Sequence, residues 1–326
     1  MKKRNTPFAF CLSMVLLLAG LLTGCGTANQ TATTPSTQAA NSTNSQAEVA
    51  PRMIKHELGE TEIKGKPQRI VVMEFSYADA LVSLGVQPVG VADDNDPNLI
   101  IAPVKEKLGQ YTSVGSRYEP NMEVISSLNP DLIIADLNHH KAVYDKLKQI
   151  APTIVLDDHQ ADYQHMLTNY PIIADAVGMK EEGNKRLNEH NEKMKQLMAK
   201  LPSGETRKVL PAVVNSKGFF GHSSSSYSGS LMESLGLKNS ITSDESYPKV
   251  SLEQLVELNP DVLFLMKAGE KTIVDEWKSN PLWQKLKAVQ ANQVFEVSRN
   301  TWALSRGLIG SEMSSEEAIN LLYGKK

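Results

Sequence analysis

Two stretches of this 326-residue chain repeat one another, and the repeat constrains the fold more than any other feature. Glu123-Val-Ile-Ser-Ser-Leu-Asn-Pro-Asp-Leu-Ile-Ile is answered by Glu253-Gln-Leu-Val-Glu-Leu-Asn-Pro-Asp-Val-Leu-Phe. Upstream of these, Leu81-Val-Ser-Leu-Gly85 is answered by Leu231-Met-Glu-Ser-Leu-Gly236. Each block reads as a helix that stops at Asn-Pro-Asp, because proline restricts the residue before it and cannot extend a helix. The apolar run that follows suits a buried strand. Two such blocks in the same order point to an internal duplication, and so to two similar α/β lobes.

The rest of the chain agrees. Short β-branched runs at 69–73, 88–92, 112–115, 131–136 and 153–156 alternate with helical periodicity at 76–84, 121–128 and 140–150. That alternation is the sign of βα units and a mainly parallel sheet. A polar, charged stretch with helical character follows at 163–201, interrupted by Pro171 and a few glycines. After Pro202-Ser-Gly204 the alternation resumes, with strands at 207–215, 261–266 and 293–298 and helices at 229–235 and 311–323. The expected layout is a first lobe at 51–162, a connecting helix region at 163–201 and a second lobe at 202–326.

Upstream of the lobes, Met1-Lys2-Lys3-Arg4 and the apolar run 8–22 read as a secretory signal over 1–24, too short and wrongly flanked to span a membrane. It ends in Leu22-Thr23-Gly24-Cys25, which resembles the lipobox of bacterial lipoproteins. The resemblance implies a diacylated Cys25 as the mature N-terminus, and two acyl chains suffice for stable anchoring. Residues 26–50 hold Thr, Ala, Ser, Asn and Gln with one charge, Glu48, and cannot bury enough apolar surface to order themselves. As a flexible tether they would reach about 25–30 Å. Losing Lys2, Lys3 and Arg4 with no acid takes the formal charge from −3 to −6, which argues against nucleic acid as a partner, since that would want a basic face. Cys11 and Cys25 are the only cysteines, so the body has no disulfide and relies on its apolar cores. The expectation is a monomer anchored by lipid to the outer face of a bacterial cell membrane. The long tether and cysteine-free body fit a Gram-positive cell.

Lipobox, tether, duplicated lobes and connecting helix together resemble the substrate-binding lipoproteins of ABC importers for iron–siderophores, haem and cobalamin. The segments 71–81 (Val-Val-Met-Glu-Phe-Ser-Tyr-Ala-Asp-Ala-Leu) and 87–94 (Gln-Pro-Val-Gly-Val-Ala-Asp-Asp) look most like the ferric-citrate and hydroxamate branch. The resemblance implies two Rossmann-like lobes joined by a long α-helix, with the ligand in a cleft between them. It also implies that Glu123 and Glu253, equivalent in the two repeats, dock on the two permease subunits. Their position in a first helical turn after Asn121 or Ser251 is equally what capping and the helix dipole favour.

Ligands of open parallel sheets bind beyond the carboxyl ends of strands. The residues that follow the expected strands are Glu74, Ser76 and Tyr77, then Arg117 and Tyr118, then His139 and His140. The second lobe offers Lys217, Phe219, Phe220 and the run 222–227, then Arg299, Trp302 and Arg306. Arg117, Arg299 and Arg306 are expected to grip an anion, since the guanidinium fork binds carboxylates in bidentate fashion. Trp302, Tyr77 and Phe219 are expected to cover the organic part of a chelate, with Ser76 and Lys217 alongside. Iron(III)-citrate is the first choice of ligand and a ferric hydroxamate the second.

Other chemistries fit less well. A bare-metal receptor would need converging His, Asp and Glu ligands. Of the seven histidines only His139 and His140 are adjacent, and neighbouring histidines after a strand read as polar loop residues. The iron is therefore expected to arrive as a chelate, with no protein ligand and no permanent cofactor. Gly221-His222-Ser223-Ser224-Ser225 begins like a nucleophile elbow but lacks its last glycine, which leaves a cell-surface hydrolase as the competing class and no enzyme as the expectation.

Overall fold

In a computed structural model, residues 51–324 form the described part of the chain. The signal peptide, Cys25 and the tether lie outside these residues. A hairpin opens the fold, with β1 (Arg52–His56) antiparallel to β2 (Gly59–Ile63). Sequence reading missed it.

The first lobe is a parallel sheet of β3 (Ile70–Val72), β4 (Gly90–Val91), β5 (Thr112–Ser113), β6 (Leu132–Asp136) and β7 (Thr153–Leu156). Its spatial order is β5-β4-β3-β6-β7, so the winding reverses between β3 and β6. Side chains alternate across this sheet as the pleat requires. Ile70, Val72, Leu132 and Ile134 enter one apolar cluster, and Val71, Met73, Ile133 and Ala135 enter the other. Both faces are covered, which explains the uninterrupted apolar runs.

The second lobe contains β8 (Lys208–Asn215), β9 (Gly218–Gly221), β10 (Lys238–Asn239), β11 (Lys249–Val250), β12 (Val262–Lys267) and β13 (Val294–Val297). Their order is β11-β9-β8-β12-β13, with β10 also on β8. Here β10, β8, β12 and β13 run parallel, while β9 turns back from β8 and pairs antiparallel with it and with β11.

The expected helical stretch resolves into helix Tyr163–Ala176 and the longer helix Lys180–Met198. Gly178 breaks them at φ +71°, a conformation glycine adopts without a Cβ penalty. The two pack so closely that a Cβ on Gly183 would lie 2.3 Å from the Ala174 methyl.

One apolar cluster runs from Ile54 and Ile70 through Tyr170 and Leu197 to Phe264 and Ile319, and so through both lobes. Asp79, on helix Phe75–Ser83, accepts hydrogen bonds from the amides of Ile309 (3.1 Å) and Gly310 (3.0 Å), at the start of the last helix, Leu308–Tyr323. The lobes are welded at this end by shared core and by this cap.

Candidate functional site

Each strand around the winding reversal delivers an acid where it ends. Asp136 closes β6 with no exposure to solvent. Its Oδ2 accepts from the amides of Asn138 and His139 (both 2.8 Å), and its Oδ1 from those of Asp158 (2.8 Å) and His159 (3.2 Å). This carboxylate therefore straps the loops after β6 and β7 together. His140 lies beneath them: its Nδ1 accepts from the Asp136 amide (2.9 Å) and its Nε2 donates to the Arg117 carbonyl (2.8 Å). Burial lowers its pKa, consistent with the neutral tautomer that this pairing needs.

Glu74, just past β3, is only 1 % exposed. Its Oε2 accepts from Arg117 Nη1 (3.1 Å) and its Oε1 from His139 Nδ1 (2.8 Å). Arg117 is itself 6 % exposed and donates to Asp94 through Nε (3.0 Å), Nη2 (2.8 Å) and its backbone amide (2.8 Å). Its guanidinium also lies 4.3 Å from the Phe75 ring centroid. Burial opposes the Arg117 charge, but Glu74 and Asp94 outweigh it and the pKa rises. Asp94 and Asn95 both sit at φ 57°, a left-handed pair that only short polar residues adopt at modest cost.

The second lobe presents a different cation. Arg299, immediately after β13, has no hydrogen-bond or ion partner among the described residues. Burial and then the charge of Arg117 push its pKa down, with a smaller push from Arg306, while Tyr118 and Asp94 work the other way. Arg306 is mostly buried and crosses to the first lobe, where its Nη1 donates to the carbonyls of Asp158 and His159 (both 2.8 Å). Beside Arg306, burial and the Glu74 charge raise the Asp158 carboxyl to about 7. Burial and Arg306 lower the His159 ring to about 4.

A column of rings crosses the cleft. Ring centroids lie 4.4 Å apart for Tyr118 and His139, 4.5 Å for His139 and His159, 6.4 Å for His159 and Tyr247, and 4.9 Å for Tyr247 and His222. Tyr247 and His222 belong to the second lobe, so the column joins the two. Glu74, Asp136 and His139 come close enough to suggest a cation site. The carboxylate oxygens of Glu74 and Asp136 each already accept from an amide, Arg117 or His139, which makes the cluster an ion-paired network.

A family model described as periplasmic binding protein matches residues 70–301. The chain belongs to that family. It is 42 % identical over 325 residues, the full length of both chains, to the Fe(3+)-citrate-binding protein YfmC of Bacillus subtilis (strain 168). It is 39 % identical over 271 residues to the Fe(3+) dicitrate-binding periplasmic protein FecB of Escherichia coli (strain K12), covering 83 % of this chain and 90 % of that one. Among solved structures, Staphylococcus aureus SirA complexed with staphyloferrin B aligns with a TM-score of 0.73 and 28 % identity, covering 83 % of this chain and 98 % of SirA. The family consists of solute-binding proteins rather than enzymes.

In this periplasmic binding protein three of the expected cleft aromatics lie in the interior, which corrects the sequence reading. Phe219 is fully buried in β9 and stacks on Trp277, with centroids 5.7 Å apart. Trp302, 1 % exposed, lies 4.7 Å from the Phe264 ring centroid and donates to Glu317 (2.6 Å). Tyr77 is buried and donates to the Leu156 carbonyl (3.0 Å). Each of these rings is consumed by packing, and the column from Tyr118 to Tyr247 occupies the place expected for them. Ser76 is buried beside the Asp158 carboxyl and lines a cavity of about 20 Å³, roughly the room one water needs. Lys217 is exposed in the turn between β8 and β9, its amide donating to Asn215 (2.7 Å). The Ser223 and Ser226 hydroxyls are buried and spent on backbone carbonyls.

Glu123 and Glu253 keep equivalent exposed places, in the first turns of helices Met122–Ser127 and Leu252–Leu258. Asn121 caps the first helix, and Ser251 with Gln254 forms a capping box on the second.

Proposed function

We propose that this protein captures an anionic ferric chelate, iron(III)-citrate, in the interlobe cleft and delivers it to an ABC permease for iron uptake. The observation that carries the reading is Arg299, a half-buried guanidinium without a hydrogen-bond or ion partner among the described residues, whose charge is opposed by those of Arg117 and Arg306. Such a charge is costly to bury unless an anion completes it, and a carboxylate matches its fork. The 42 % identity to an Fe(3+)-citrate-binding protein favours iron(III)-citrate among carboxylate-bearing chelates. Lipidation at Cys25 and the tether 26–50 would hold the body on the outer face of the cell membrane as a monomer. Glu123 and Glu253 would meet the permease.

Trp302 follows Arg299 by three residues, so tryptophan fluorescence is placed to report occupancy. Titrating the purified protein with iron(III)-citrate should give saturable quenching, and iron-free citrate should bind more weakly. A ferric hydroxamate or catecholate that outcompetes iron(III)-citrate would overturn the choice of ligand. Silence from every chelate, confirmed by calorimetry, would overturn the function.

A further inference from the structure

One acid beside the cleft keeps its carboxylate outside the ion-paired network of the first lobe. Asp158, on the loop after β7, is 6 % exposed, and its amide is tied to Asp136 (2.8 Å). Among the described residues its carboxylate has a single ion partner, Arg306. That contact is loose, with Oδ2 lying 4.0 Å from Nη1, beyond hydrogen-bond length. The Arg306 Nη1 hydrogens go instead to the carbonyls of Asp158 and His159, and Nε donates to the Ala303 carbonyl (2.9 Å). Both Nη2 hydrogens are without a partner among the described residues. Tyr247 and Arg117 act on the charge of this arginine, which places it among the cleft residues. Asp158 also lines, with Ser76, the cavity that has room for about one water. A loose ion pair next to a site for one water accommodates the acid either charged or neutral.

We propose that Asp158 competes with the anionic ligand for Arg306, so that the cleft holds its ligand harder when Asp158 is protonated than when it is ionised. This rests on the function proposed above and adds to it a positioning residue that sets the charge of the grip. Titratable groups face Asp158 from each element packed on it: Glu74 from the loop after β3, Tyr77 from helix Phe75–Ser83, Asp136 from the end of β6, Tyr170 from helix Tyr163–Ala176 and Arg306 from the segment before the last helix, with His159 beside it in its own loop. Burial and the charges of Glu74 and Asp136 favour the neutral acid. Arg306 and Ser76 favour the ion, and the balance lies at about 7. Below that pH Arg306 keeps its full charge for the ligand, and above it Asp158 offsets part of that charge. By reciprocity, a ligand that prefers the neutral acid draws a proton in when it binds.

The test is calorimetric titration with iron(III)-citrate across pH 5.5–8.5 for the wild type, Asp158→Asn and Asp158→Ala. Ligand speciation is common to all three, so the ratio of variant to wild-type affinity isolates the residue. Asp158→Asn should bind as the wild type does at pH 5.5 and up to about tenfold more tightly at pH 8.5, a ratio equivalent to about one unit of ligand-linked pKa change. The gap should open as pH rises through about 7. Asp158→Ala removes the same charge without an amide in its place and should show the same profile. Repeating the titration at pH 7.5 in buffers of different ionisation heat counts protons, and the wild type should take up about half a proton more than either variant. Loose packing alone would move affinity equally at every pH and leave the proton count unchanged. A gap that is absent, reversed or constant with pH, with equal proton uptake, would overturn the proposal and leave the function standing. A wild type that binds no iron(III)-citrate would bring down both.

Discussion

The two lobes share a repeated sequence block, yet they treat their cleft arginines in opposite ways. In the first lobe Arg117 is locked between Glu74 and Asp94, with side-chain exposures of 8 %, 1 % and 17 %. In the second, Arg299 makes no ion pair among the described residues, and burial and the charge of Arg117 hold its pKa down. The difference separates two tasks that a binding cleft must perform. A charge satisfied during folding builds a rigid wall, and its energy is spent before any ligand arrives. A charge left unsatisfied keeps its interaction for the ligand, so it converts to affinity. The first lobe supplies the wall, and the second supplies the grip.

The largest effect should come from breaking that contrast at Arg117. Arg117→Ala leaves buried Glu74 with only His139 and half-buried Asp94 without its ion partner, and should destabilise the protein by about 3 kcal/mol, measured by urea unfolding. Arg299→Gln should leave the unfolding midpoint within about 0.5 kcal/mol of the wild type while weakening iron(III)-citrate binding by about a hundredfold. If instead Arg117→Ala unfolds like the wild type and only binding suffers, the lobes do not divide the work as argued.

A second contrast lies between the open side of the cleft and its welded end. There Asp79 is 1 % exposed and caps the last helix, and burial raises its carboxyl from 3.8 to about 6. A pKa higher in the fold than in the unfolded chain means that stability is complete below pH 3.8 and is lost as pH rises through about 6. The size of that loss is about 3 kcal/mol. Asp79→Asn should remove this slope. It should be the less stable protein at pH 4, because one of the two helix amides loses its acceptor, and should close the gap or overtake the wild type by pH 7. Parallel stability curves for the two proteins would show that the weld does not depend on this buried charge.

Much of this plan was legible in the sequence because it follows from local patterning. The strand at 153–156 matches its observed bounds, and the others differ by a residue or two at their ends, since apolar runs and Asn-Pro-Asp stops are short-range signals. The break at Gly178 was partly visible as a glycine in a helical stretch. The aromatics misled for a topological reason. Phe219 was read as following a strand, but the chain turns back after Asn215 and Phe219 lies inside β9, where burial is the rule. Trp302 follows β13 but lies in a helical turn folded under the second lobe. The partners of Arg117 were beyond sequence reasoning, because Glu74 and Asp94 are 43 and 23 residues away and meet it only through the sheet order. His139 was visible as a polar residue after a strand. Its hydrogen bond to Glu74 is something nothing local reveals.

The smallest effects on the fold should come from the pair of residues in which the lobes do agree. Glu123 and Glu253 both stand exposed in a first helical turn, so each gains only the dipole's contribution, about 0.3–1 kcal/mol at most. Their caps differ: Asn121 accepts from two amides, whereas Ser251 and Gln254 satisfy each other's backbone reciprocally. The capping box leaves the second helix less dependent on its acid, so Glu123→Ala should cost slightly more stability than Glu253→Ala, with both near 0.5 kcal/mol. If the pair docks on the permease, each single variant should reduce iron uptake by cells, and the double variant should abolish it with iron(III)-citrate affinity intact. Uptake that survives the double variant would reduce the two glutamates to helix-terminal charges. Loss of affinity would instead place them in communication with the cleft, which their position on the outside of both lobes gives no physical route to achieve.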